Sequence, residues 1–171
     1  MMIYRSPYPD VEIPEMTLYE YVFQNAANYL DKAALIDGAS GRTLTYGQLM
    51  GASHKMAAGL HQRGFNKGDV FAIYSPNIPE YAIAFYGTGL VGGIVTTINP
   101  LYTTDELAHQ LNDSGARFLV TIPLFLDKAL EAAKQSGIDE VFVFGQAEGA
   151  TPFVALLNND GQFPKIEMNP H

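Results

Sequence analysis

Four short apolar runs, Val70 to Tyr74, Ile94 to Ile98, Phe118 to Ile122 and Val141 to Phe144, begin 24, 24 and 23 residues apart (70 to 94, 94 to 118, 118 to 141). Each gap has room for one crossover helix, the connection that parallel strands need. The runs are continuously apolar and do not alternate with polar residues, as strands do when both sheet faces are covered. Right-handed crossovers then give a doubly wound layer. A leucine-rich repeat has a similar period, but its LxxLxL pattern is missing. The expected fold class is α/β, a doubly wound parallel sheet preceded by an α-helix and a β-hairpin.

Helix starts are marked by side chains that satisfy free backbone N–H groups. Thr17-Leu18-Tyr19-Glu20, Thr45-Tyr46-Gly47-Gln48 and Thr103-Thr104-Asp105-Glu106 all read as capping boxes. After the first box, Leu18, Tyr21, Val22, Ala26, Tyr29 and Leu30 predict one helix ending near Asp31. After the second, Leu49, Ser53, Met56, Ala57 and Leu60 predict a helix stopping at Gly64. Between them, Ala33 to Asp37 and Arg42 to Leu44 flank Gly38-Ala39-Ser40-Gly41 as a hairpin. Crossover helices are expected from around Asn77 and Pro79, from Thr103 to Gly115 and from Pro123 to Gly137, and Ile94 to Ile98 is expected to be a buried strand. Phe153 to Leu157 predicts one or two helical turns. Asn158 to His171 reads as a polar connecting segment that stops without a closing element, as a chain cut inside a larger protein would. Residues 1–16 form an extended arm, where Pro7, Pro9 and Pro14 rule out a helix.

The formal net charge of -8 sets the surface against duplex nucleic acid and anionic membrane, so neither is expected as a partner. The absence of cysteine removes disulfides, thiolate metal sites and cysteine nucleophiles together. The N-terminus lacks the apolar run of a signal peptide. No uncharged stretch is long enough to span a bilayer, Tyr81 to Leu101 coming nearest. The expected setting is the cytoplasm.

Gly87-Thr88-Gly89-Leu90-Val91-Gly92 has the GxGxxG spacing, but a helix precedes it and a strand follows. A dinucleotide fingerprint needs the reverse, so that pyrophosphate meets a helix N-terminus. Close helix–sheet packing through small residues explains it instead. His54 and His61 share a helix face without a nearby carboxylate, a poor metal site. Asp105 and Glu106 are explained by helix capping and the helix dipole. Asn112-Asp113-Ser114 is a glycosylation sequon without a secretory context. No GxxxxGK[ST], GxSxG or HExxH is present. Open parallel sheets bind ligands beyond the carboxyl ends of their strands. The loops Ser75-Pro76-Asn77 and Asn99-Pro100-Leu101-Tyr102 fall there, making Ser75, Asn77, Asn99 and Tyr102 the substrate-proximal candidates. The alternative is that Asn77 and Pro100 only cap or turn the chain.

An ordered set of short elements carries a resemblance. Leu44-Thr45-Tyr46-Gly47-Gln48-Leu49 resembles the L-[ST]-Y-x-E-L element of adenylate-forming enzymes, with Gln48 where Glu is usual. Lys67 to Val70 and Ser75 to Glu80 resemble that family's strand and following loop. Gly92 to Val95, Asn99 to Thr103 and Glu106-Leu107 resemble its acyl- and aryl-CoA ligase branch. Asn99 to Thr103, Gln110 to Ala116 and the Pro7 to Pro14 arm are similar to 4-coumarate–CoA ligase-like enzymes. The resemblance implies a two-step reaction: a carboxylate and ATP give an acyl-adenylate and pyrophosphate, and CoA then displaces AMP. It implies ATP, Mg2+ and CoA for the whole enzyme, none of them bound by this chain. The family's phosphate loop, magnesium site and catalytic lysine would all lie past residue 171, so no catalytic or metal residue is assigned here. Residues 17–171 would be an incomplete N-terminal α/β subdomain, inactive alone. Its partner would be the remainder of its own polypeptide, and its bare faces and sheet edge would favour self-association. A free-standing interaction or regulatory module, and a small nucleotide-binding protein, are the competing readings.

Overall fold

The computed structural model describes residues 6–169; Met1 to Arg5 of the arm, with Pro170 and His171, lie outside the described residues. The sheet has five parallel strands in the order β4-β3-β5-β6-β7. These are β3 (Val70–Tyr74), β4 (Ile94–Ile98), β5 (Ala116–Thr121), β6 (Glu140–Val143) and β7 (Thr151–Pro152). The doubly wound expectation holds, and β7 adds a short fifth strand. Ile94 to Ile98 is a strand but not a buried one: β4 forms the sheet edge, and Ile94 is 54% exposed. It was apolar enough to read as interior, but the strand order leaves it one neighbour.

The period-two alternation of side chains divides the core. Phe71, Ile73, Phe118, Val120 and Phe142 face one side, against α2 (Tyr46–Gln62) and α3 (Pro79–Leu90). Val70, Ala72, Tyr74, Ala116 and Leu119 face the other, against α4 (Thr104–Ser114) and α5 (Leu126–Ser136). The last helix opens with a 3-10 turn, Pro123–Phe125. The first layer is rich in aromatics: Phe65 stacks on Phe118 at 5.5 Å, and Phe71 lies 6.2 Å from Phe142.

β5 begins at Ala116, two residues before the apolar run that marked it, because the strand carries a bulge between Val70↔Ala116 and Phe71↔Phe118. The extra residue is Arg117, and a bulge re-aims the side chain it carries. Arg117 reaches Asp69, Asp139 (Nε to Oδ2, 2.9 Å) and the carbonyl of Gly64 (3.0 Å). Beside it, Arg63 bonds Glu140 at 3.2 Å, and Glu140 accepts from Thr151 Oγ1 at 2.7 Å. Two arginines therefore stitch the amino edges of β3, β5 and β6 to the end of α2.

All three capping boxes form. The first does not start the long helix that the spacing predicts. α1 spans Leu18–Phe23, and a separate 3-10 turn covers Ala26–Tyr29. Tyr19, Phe23 and Ala26 face the core, while Leu18, Tyr21, Val22, Tyr29 and Leu30 are exposed. The Tyr19 hydroxyl is the one buried side-chain polar atom without a partner among the described residues, and burial pushes it up to about 12. The hairpin is as expected, with β1 (Ala33–Ile36) antiparallel to β2 (Thr43–Thr45). The Asp37 carboxylate closes its turn, accepting from Ala39 N at 3.0 Å and Ser40 Oγ at 2.6 Å. Arg42 then forms a bidentate pair with Glu80 in the first turn of α3, tying hairpin to helix. Beyond the 3-10 turn Phe153–Leu156, residues 158–169 run back over α2, where Asn159 Nδ2 donates to the Lys55 carbonyl at 3.0 Å. Farther on, Lys67 Nζ donates to the carbonyl of Glu167 at 2.8 Å.

Within the GxGxxG run Gly87 packs between helices and not between helix and sheet, whereas Gly89 has nothing within 4 Å. A Cβ on Gly87 would sit 2.2 Å from Met56 Cγ, so this glycine lets α3 approach α2. On α2 a Cβ at Gly59 would lie 2.1 Å from the Leu156 carbonyl oxygen, a backbone atom that cannot swing aside. Gly51, in the same helix, has nothing within 4 Å. Gly59→Ala should therefore lose roughly 1–3 kcal/mol through overpacking, while Gly51→Ala should gain up to about 1 kcal/mol of helix propensity. Urea unfolding of both variants checks the opposite signs.

The Arg42–Glu80 pair makes a pH prediction. Hydrogen bonding to Arg42 holds the Glu80 carboxyl below its usual range. Its stabilisation is present above the unfolded-state pKa and is lost as pH falls through the folded value. With Arg42 half exposed, Arg42→Gln should cost roughly 0.5–1 kcal/mol near neutral pH. The gap to wild type should close as pH drops below about 4. A gap in unfolding midpoints unchanged under acid would remove the pair as its source.

Candidate functional site

Where the strand order reverses, helices leave neighbouring strands on opposite faces and a crevice opens at the carboxyl ends. Here α3 follows β3 onto one face and α5 follows β5 onto the other, so the switch point lies between β3 and β5. Its polar groups are mostly engaged with one another. The Tyr74 hydroxyl donates to the carbonyls of Pro100 (3.3 Å) and Tyr102 (3.2 Å). Lys128 Nζ donates to the same Tyr102 carbonyl at 2.7 Å. Buried Thr121 donates from Oγ1 to the Tyr74 carbonyl at 2.9 Å. The β4–α4 loop is thus clamped by one side chain from β3 and one from α5.

The four candidates occupy this end of the sheet, where Asn77 and Tyr102 line separate grooves. Ser75 is buried, and its Oγ donates to the Pro76 carbonyl at 2.8 Å. Asn77 is exposed and lines a groove with Leu35, Ile36 and Asp37 of the hairpin. Asn99 is exposed, and its Oδ1 accepts from Leu101 N at 3.0 Å, a side-chain turn. Tyr102 is half-buried and lines a second groove with Asp105, His109, Gln110 and Asp113 on α4. A third cleft of about 500 Å³ lies between α3 and the end of β6, walled by Ile78, Ile83, Phe144, Phe153 and Leu157 with the Arg42–Glu80 pair at its rim. Sequence reading missed Tyr74 and Lys128. A tyrosine closing an otherwise apolar strand was the available signal for the first; the lysine had none.

The remaining motifs have structural explanations. The Glu106 carboxylate accepts from Thr103 N and Oγ1, both at 2.8 Å, and the backbone bond leads in lowering its pKa. His54 lies edge-on to Tyr19 at 5.7 Å and against Phe163 at 6.0 Å. Among the described residues no group of three or more His, Asp or Glu could hold a metal ion, and no helix is long and apolar enough to cross a membrane.

Comparison with known proteins adds the family. A sequence model described as "AMP-binding enzyme" matches residues 22–163. 4-coumarate–CoA ligase 5 of Oryza sativa subsp. japonica is 39% identical over 169 residues, covering 98% of this chain and 31% of the relative. 4-coumarate–CoA ligase 1 of Petroselinum crispum is 35% identical over 170 residues, with the same 98% and 31% coverage. The chain thus spans about 31% of the length of these relatives. A long-chain-fatty-acid–CoA ligase from Archaeoglobus fulgidus shares the fold at a TM-score of 0.85 and 24% identity, over 98% of this chain and 35% of that one. An anthranilate CoA ligase solved with anthranoyl-AMP does so at 0.82 and 19% identity, over 92% and 30%. With one family model covering most of its length and its fold recurring in these ligases, the chain belongs to the AMP-binding enzyme family.

Proposed function

We propose that residues 17–171, with the arm 1–16, are an N-terminal scaffold subdomain of an AMP-forming acid–CoA ligase. The observation that carries this is the pairing of 98% coverage of the chain with 31% coverage of 4-coumarate–CoA ligases at 39% identity. In the whole protein a carboxylate oxygen attacks the α-phosphate of ATP, and pyrophosphate leaves. The CoA thiol then attacks the acyl carbon, the bond to AMP breaks, and acyl-CoA forms. ATP, Mg2+ and CoA belong to that larger assembly in the cytoplasm, not to this chain.

The site geometry supports a scaffolding role. The carboxyl-end carbonyls of Pro100 and Tyr102 are already held by Tyr74 and Lys128. Gly87 serves the packing of α3 on α2. Ser75, Asn77, Asn99 and Tyr102 then shape loops on the side where the substrate lies and take no chemical step. The exposed apolar residues Leu18, Tyr21 and Val22 on α1 suit contact with the remainder of the polypeptide, or with another copy when that is missing.

The 171-residue chain, given ATP, Mg2+, CoA and a panel of acids that includes 4-coumarate, should release pyrophosphate only at background. A full-length protein containing it should turn over with at least one acid of the panel. Turnover by the short chain that survives repurification would overturn the scaffold reading. A silent full-length protein would overturn the ligase reading.

A further inference from the structure

The loop between β4 and α4 is held at each of its residues 99–102. Asn99 Oδ1 accepts from Leu101 N at 3.0 Å, and Tyr102 N donates back to the Asn99 carbonyl at 3.1 Å. The Pro100 and Tyr102 carbonyls lie within reach of the Tyr74 hydroxyl, which has one proton to divide between them. Lys128 Nζ takes the Tyr102 carbonyl at 2.7 Å. Tyr74 closes β3, and Lys128 stands on α5, which follows β5. The two sides of the switch point therefore meet on one oxygen atom. Lys128 is placed against local preference, in the first turn of α5, where the helix dipole opposes a positive charge. Its hydrogen bond goes to a carbonyl and not to a carboxylate. Glu106, which feels the lysine's charge, is itself bound to Thr103 N and Oγ1. Breaches of a local rule concentrate at functional sites. What the bonds hold is no core contact, for Leu101 at the loop's tip is 85% exposed.

We propose that Tyr74 and Lys128 are positioning residues for substrate binding, which hold loop 99–102 in its working shape beside the switch-point crevice before a ligand arrives. This rests on the ligase reading. Open α/β sheets take their ligands in that crevice. A loop released from its clamp has the working shape for only a fraction of the time, and the apparent dissociation constant rises by the inverse of that fraction. Once the ligand is bound, the loop is ordered in either case. Loss of the clamp therefore raises KM and leaves kcat. Damage to the fold does the reverse: it lowers kcat through the fraction of active enzyme and leaves KM. Because both side chains converge on the Tyr102 carbonyl, each partly covers for the loss of the other.

The test is steady-state kinetics on a full-length protein containing this chain, giving KM and kcat for ATP and for the acid, alongside urea unfolding. The variants are Lys128→Met, which keeps the apolar stem, Lys128→Arg, Tyr74→Phe, and Lys128→Met combined with Tyr74→Phe. Lys128→Met should raise KM for ATP or for the acid about 5-fold while kcat stays within about 2-fold of wild type. The double variant should raise it by more than the product of the two single effects. Lys128→Arg, which keeps a donor, should recover part of the loss. Should Lys128→Met fail to fold, Tyr74→Phe carries the same test. Unchanged KM for both substrates in the double variant overturns the proposal and leaves the ligase reading standing. A fall in kcat at constant KM does the same, as does a rise in KM that Lys128→Arg does not reduce. A wild-type protein silent with every acid removes the ligase reading, and the proposal with it.

Discussion

All five residues of β3 are buried, the strand has hydrogen-bonded neighbours on both sides, and helices cover both its faces. Without water to satisfy them, its backbone groups depend on the ladders. That requirement fixes the register of β4 and β5 against it and, through them, the sides on which the crossover helices land. A one-residue slip would exchange Phe71 and Ile73 with Ala72 and Tyr74, pushing a phenylalanine into the space that α4 and α5 leave for Ala72. The bulge at Arg117 is the one irregularity in the β3–β5 ladder. It brings the alternation of β5 into phase with β3 so that Phe118 joins the aromatic layer.

The two ends of the sheet are finished differently. At the amino end, charge does the joining, with Arg117 and Arg63 bridging three strands and a helix terminus. At the carboxyl end, apart from the Arg42–Glu80 pair, it is done by neutral hydroxyls and one lysine acting on backbone carbonyls.

Much of this was legible in the sequence. Apolar runs at a near-constant period gave the parallel sheet, and Thr-x-x-Glu or Thr-x-x-Gln marked three helix starts, because both signals are local. The failures were non-local. Periodicity predicted one helix over residues 18–31, but the chain breaks after Phe23 so that Tyr19, Phe23 and Ala26 can reach the core. Ile94 looked interior since composition does not reveal strand order. Arg117 hid the start of β5 since a charge inside an apolar run reads as a boundary. At the candidate site the loops were correctly placed beyond strand ends, but not their clamp: Lys128 meets Tyr102 only after two crossovers have folded.

The contact between Gly59 and Leu156 also bears on synthesis. α2 is complete at Gln62, but the backbone that fills the groove over Gly59 arrives with Leu156. At translation rates of roughly 5–20 residues per second, the interval is on the order of 5–20 s. Throughout it, the face of α2 around Gly59 lacks its Leu156 cover and is open to chaperones and to neighbouring nascent chains. A glycine read in the finished molecule as a packing device thus also sets a window of vulnerability on the ribosome, and codon choice between residues 62 and 156 controls how long that window stays open.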